Sequence, residues 1–169
     1  MEAINTYTGF AYNKETAAKK VVKVLTQTNS KTISAAMLLL RSAIGIILFA
    51  VGTGKVFGWF GGYGLDATLG FYSQMGIAPP LAYLSIYTEF LGGLLLTIGL
   101  LTRPAAFAVA INFVVATIIT LPAGFLAPNG AAYPFVFLVI AAVILIAGPM
   151  HLSIDELIVK KYNRSWTRR

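Results

Sequence analysis

The sequence contains no cysteine and a single histidine, His151. The first absence excludes disulfides, thiolate metal sites, iron–sulfur clusters and thiol nucleophiles together. The second excludes a haem held by two histidines of this chain. Charge is also scarce: 11% of the 169 residues are Asp, Glu, Lys or Arg, against about 25% in a soluble domain. The first 32 residues are polar and lack the apolar stretch of a secretory signal, so none is expected there.

Apolar surface takes the place of charge. Hydrophobic residues make up 57% of the chain and the mean hydropathy is +0.77, more than one soluble core can bury. A bilayer can take it up, and four spans of about 20 residues each use roughly 80. Apolar runs at about 33–57, 81–101, 105–121 and 133–149 supply them. The expected fold is an all-α membrane protein, a four-transmembrane-helix bundle. The expected organisation is a cytoplasmic arm over 1–32, the bundle over 33–157 and a basic cytoplasmic tail over 158–169.

The net charge of +7 is unevenly placed. Lys14, Lys19, Lys20, Lys23 and Lys31 precede the first run, and Lys160, Lys161, Arg164, Arg168 and Arg169 follow the last. Arg103 lies between the second and third runs, while the other two loops contain no Lys or Arg. Basic residues collect on the cytoplasmic side, so both termini are expected there. No basic face is interleaved with aromatics, so the lipid bilayer is the expected partner and nucleic acid is not.

Within the arm, Asn13 can cap a helix whose apolar stripe is Ala17, Ala18, Val21, Val22 and Leu25. Lys19, Lys20 and Lys23 lie off that stripe, as in a helix lying on an anionic leaflet or binding a partner. After the first span, Asp66 to Met75 can form a short interfacial helix capped by Asp66. Trp59, Phe60, Tyr63 and Tyr72 suit the headgroup level.

Ionisable residues inside the spans are costly and normally face the bundle interior with a partner. Arg41 and Lys55 are 14 residues apart on the first run, which returns to nearly the same face roughly 21 Å further along. Gly45, Phe49 and Gly52 fall near that stripe. Glu89 and Arg103 have the same spacing on the second, with Gly92, Gly93, Leu96 and Gly99 between them, and small residues let helices approach. Antiparallel neighbours match Lys55 with Glu89 in depth. Arg41 and Arg103 need an anion, and Asp155 is the one at hand. Lys55, Glu89, Arg103 and Asn112 make a candidate binding seam, with Arg41 and Asp155 as candidate structural ion pairs. Each of these charges is readable as a register-fixing pair or as a working group. His151 reads as an interface residue, and no metal site is expected.

These residues carry a family resemblance. Leu40-Arg41 with Gly45, Phe49, Gly52 and Lys55-Val56-Phe57 resembles the first-span signature of the DoxX family of small membrane proteins. Phe71 with Met75-Gly76-Ile77-Ala78-Pro79, the run Glu89 to Leu96 with Gly99 to Arg103, and Gly148-Pro149 with Ser153-Ile154-Asp155 are similar to its later segments. The resemblance covers roughly 37–157 and implies the same four-helix bundle. It implies a quinone-linked or redox-complex role in a prokaryotic inner membrane, because the family includes a subunit related to that of thiosulfate:quinone oxidoreductase. The expected functions are then an accessory or anchoring subunit of a redox complex, a quinone-binding oxidoreductase subunit, or a small lipid or amphiphile carrier. A bound quinone or lipid is the cofactor to look for, and other subunits or a second copy are the partners.

Overall fold

The structure, a computed structural model, describes residues 29–149 and 152–166. Two compact units are distinguished, Met1–Ile33 and Ser34–Arg169. Only the opening turn of the first helix represents the first unit, and the helical bundle belongs to the second. The amphipathic helix expected around Asn13, and His151, lie outside the described residues.

Among the described residues six helices succeed one another: α1 Ser30–Phe57, α2 Gly64–Gln74, α3 Pro79–Ile98, α4 Thr102–Thr120, α5 Ala132–Ala147 and α6 Ile154–Trp166. Short 3₁₀ turns at Trp59–Gly61 and Leu121–Ala123 complete the secondary structure, and there is no strand among the described residues. The chain is therefore an all-helical membrane protein. Among the described residues three helices, α1, α3 and α4, are long and apolar enough to cross a bilayer, while α5 is apolar but has only 16 residues. Apolar helices suit lipid because they satisfy every backbone polar group internally.

The ends of the helices follow local chemistry. Pro79 and Pro80 open α3, where a missing N–H costs nothing. Gly99, at φ 71°, closes the helix, and the amides of Gly99 and Leu100 both return to the Leu95 carbonyl. The turn is thus Gly99-Leu100-Leu101. Thr102, Arg103 and Pro104, expected as the turn itself, form the first turn of α4. Gly148, at φ 75°, ends α5 before the expected boundary. The interfacial helix starts at Gly64, so Asp66 sits in its first turn instead of capping it. A carboxylate there still complements the helix dipole.

The core is shared by all four apolar helices. Ile44 and Leu48 of α1, Leu96 of α3, Val109 and Phe113 of α4, and Ala141 and Ile144 of α5 form one buried cluster. The rings of Phe113 and Phe137 stack at 5.1 Å. Between α1 and α3 the backbones themselves touch. A Cβ on Gly45 would sit 2.7 Å from the Thr97 amide nitrogen, and one on Gly93 would collide with the Phe49 amide. Gly52 meets the Cα of Phe90 in the same way. Around the outside, large apolar side chains such as Leu39, Leu91, Ile118 and Ile146 are exposed, as suits a surface solvated by lipid.

Candidate functional site

The glycine crossing of α1 and α3 sets the faces that the two helices turn to each other. Gly45 of α1 packs on Gly93 of α3, and Gly52 packs on Phe90. The next turn brings Lys55 opposite Glu89. Lys55 Nζ lies 2.6 Å from Glu89 Oε2, with side chains 24% and 8% exposed. The expected pairing of these two charges is formed.

A third group completes the cluster. Lys55 Nζ donates to the Tyr72 hydroxyl at 3.1 Å, and that hydroxyl lies 3.5 Å from Ser85 Oγ. Tyr72 belongs to α2, so the short helix after the first span reaches back to the charged pair. Sequence reasoning placed Tyr72 among headgroup aromatics and missed this contact. One helical turn before it, Thr68 is the buried residue of α2, and its hydroxyl donates to the Gly64 carbonyl.

The cluster lies on the wall of a cavity of about 1600 Å³, bounded by α1 to α4 and the start of α5. Most of the wall is apolar and aromatic, with Trp59, Phe71, Ile111 and Phe113 among its members. Polar groups are few: Lys55, Glu89, Tyr72, Ser85, Thr88 and Asn112 are the principal ones. Such a mixture, apolar walls with a few convergent polar groups, is the usual composition of a small-molecule site. Asn112, expected in the seam, lines the cavity from α4, and Tyr133 lines it from α5.

Arg103 does not join them. It is exposed in the first turn of α4, and its guanidinium packs on Gly148 at the other end of the bundle. Its spacing from Glu89 has no meaning on a continuous helix, because Gly99 and Leu101 both adopt left-handed backbone angles between them.

Arg41 and Asp155 occupy that same distant end. Arg41 is 3% exposed. It donates to the carbonyls of Pro149 and Leu152, both at 3.0 Å. Asp155 accepts the amides of Leu101 and Thr102 at 2.8 and 2.9 Å, satisfying donors that the start of α4 leaves open. Its own amide donates to the Gly99 carbonyl at 3.1 Å. The arrangement expected from sequence, carboxylate against guanidinium, is replaced by one in which each side chain bonds to main chain. The two still feel each other's charge. Partial burial pushes the Asp155 pKa up, but the Thr102 and Leu101 donors and the Arg41 charge outweigh it and hold the carboxyl below its ordinary value. Ser153 Oγ accepts the Glu156 amide and Glu156 accepts the Leu152 amide, a variant of the capping box that starts α6.

No group of three or more potential metal ligands is present among the described residues.

Among known protein families, the one described as DoxX matches residues 36–122. A Bacillus subtilis (strain 168) protein named "Putative oxidoreductase CatD" is 28% identical over 132 residues, covering 78% of this chain and 92% of that protein. No solved structure matches the chain.

Proposed function

Because the chain belongs to the DoxX family of membrane proteins, we propose that it is the membrane subunit of a redox complex and binds a quinone in the cavity beside Lys55 and Glu89. The observation that carries this reading is the cavity itself. It is about 1600 Å³, largely apolar, and has one cluster of hydrogen-bonding groups on its wall. Its volume exceeds the roughly 300–1,000 Å³ of ordinary ligand pockets, leaving room for an apolar tail as well as a head.

The donor set fits the group. A quinone carbonyl accepts hydrogen bonds, and the Lys55 ammonium and Tyr72 hydroxyl are donors on one stretch of wall. When bound, a quinone supplies two-electron, two-proton carrier chemistry. The residues of this chain would hold its head at Lys55 and Tyr72, with Glu89 fixing the Lys55 ammonium and Phe113 on the apolar wall around it. Electrons would arrive from a partner, since a chain without cysteine and with one histidine offers neither a thiolate cluster nor a two-histidine haem. The name of the Bacillus relative, an oxidoreductase, supports a redox setting.

Four spans with both ends on the cytoplasmic side of a prokaryotic inner membrane complete the reading. The absence of Lys and Arg from the loops 58–80 and 122–132 supports it. A reporter fused to the C-terminus that became active only outside the cytoplasm would overturn that orientation.

The decisive experiment is purification of the full chain in mild detergent, with extraction of bound quinone and identification of co-purifying proteins. Stoichiometric quinone that is lost in Glu89→Gln is the expected result. A protein isolated without quinone and without partners removes the proposal. Stable partners with no quinone would leave an anchoring subunit in its place.

A further inference from the structure

Among the described residues, Lys55 and Glu89 are the only ones with charged side chains on the cavity wall, and they neutralise each other at 2.6 Å. The cavity wall they share therefore carries no net charge. That balance has consequences for which head group can enter.

A lone ammonium on an apolar wall would anchor any carboxylate or phosphate amphiphile, and bilayers hold such molecules in abundance. With Glu89 in contact, an incoming anion meets a second anion whose side chain is 8% exposed. Like charges at a separation of a few ångströms inside a low-dielectric site repel strongly. To enter, the anion must displace Glu89 and leave that carboxylate without its counter-charge. A cationic head meets the mirror obstacle at Lys55. An uncharged head that accepts a hydrogen bond faces neither. An ammonium has three donors, of which one faces Glu89 and one goes to Tyr72, so a neutral acceptor can be bound without breaking the pair.

We propose that Glu89 is a charge filter, which makes the cavity select amphiphiles with an uncharged, hydrogen-bond-accepting head and reject fatty acids and other anionic amphiphiles. This assignment rests on the reading of the cavity as an amphiphile site and adds the class of head group that it admits. It gives Glu89 a role in selectivity that neither a register-fixing pair nor a proton-holding group would require.

The test uses the full chain in nanodiscs of phosphatidylcholine and four radiolabelled probes: decylubiquinone, dodecanol, dodecanoate and dodecylamine. Binding above that of empty nanodiscs is measured at about pH 9, where an ordinary carboxylic acid is ionised and an ordinary lysine is still largely charged. The wild-type protein is expected to bind decylubiquinone and dodecanol in preference to both charged probes. In Glu89→Gln the affinity for dodecanoate itself should rise about tenfold or more, since the wall then presents an unopposed cation. In Lys55→Gln the affinity for dodecylamine should rise instead, which keeps the test alive if the first variant does not fold. Unchanged affinities for both charged probes in these variants, with the wild type binding the neutral ones, would overturn the filter and leave the amphiphile site standing. Failure of the wild type to bind any neutral probe would overturn the amphiphile site and the filter with it.

Discussion

At each end of the bundle α1 holds a cation near an acid, and the two sites are built from different parts. At one end, Arg41 bonds to the carbonyls of Pro149 and Leu152, while Asp155 bonds to the amides of Leu101 and Thr102. At the other, Lys55 and Glu89 meet side chain to side chain, with Tyr72 as a further partner, on the wall of a cavity. Main-chain partners cannot change rotamer, so the first end ties α1, the α3–α4 turn and the start of α6 into one piece. Side-chain partners can exchange one hydrogen bond for another, so the second end can admit a guest. Both ends carry one cation and one acid, and what distinguishes them is the kind of partner.

The comparison can be broken most sharply at Arg41. Arg41→Met would leave two carbonyls without their donor and remove a buried link, at an expected cost of about 3 kcal/mol. Unfolding in mixed micelles with increasing dodecyl sulfate would measure it. A loss below that of Lys55→Met would reverse the ranking of the two ends.

A smaller effect is expected from the Lys55–Glu89 pair. Lys55→Met or Glu89→Gln alone should each destabilise by roughly 1–2 kcal/mol, between the values for exposed and fully buried pairs, because the Lys55 side chain is 24% exposed. The double variant should lose less than the sum of the two, and fully additive losses in the same unfolding measurement would argue against a direct contact.

Asp155 gives the smallest effect, confined to acid. Its folded-state pKa lies below the ordinary value of 3.8. Its contribution is therefore fully present above that value and is lost as the pH falls through the lower, folded pKa. Asp155→Asn should flatten the loss of stability below about pH 4. Thermal melts at neutral pH and in acid would check this, and an unchanged acid limb would show that the α4 amides do not depend on the carboxylate.

Much of this architecture was legible in the sequence, for identifiable reasons. Apolar length gives the helices, because lipid allows few alternatives to them. Fourteen-residue spacing gave the shared face of Arg41 and Lys55, since α1 runs unbroken from Ser30 to Phe57. The same spacing failed for Glu89 and Arg103, because α3 ends at Ile98 and two left-handed residues reset the phase. The partners of Arg41 were invisible because carbonyls belong to every residue and leave no mark on composition. Tyr72 was hidden for another reason: its contact depends on how α2 folds back over α1, and no periodicity of one helix encodes that.

The glycine crossing of α1 and α3 carries a mechanical consequence. Gly45 and Gly93 bring backbone against backbone, so neither helix has side-chain slack in which to turn. Rotating α1 by one residue would be a turn of about 100°, driving a bulkier neighbour into the gap and swinging Arg41 and Lys55 away together. The azimuth of α1 is thus locked at a single bearing, and that bearing aims both cations at once. The clamp at Arg41 and the cavity at Lys55 thus share one axle.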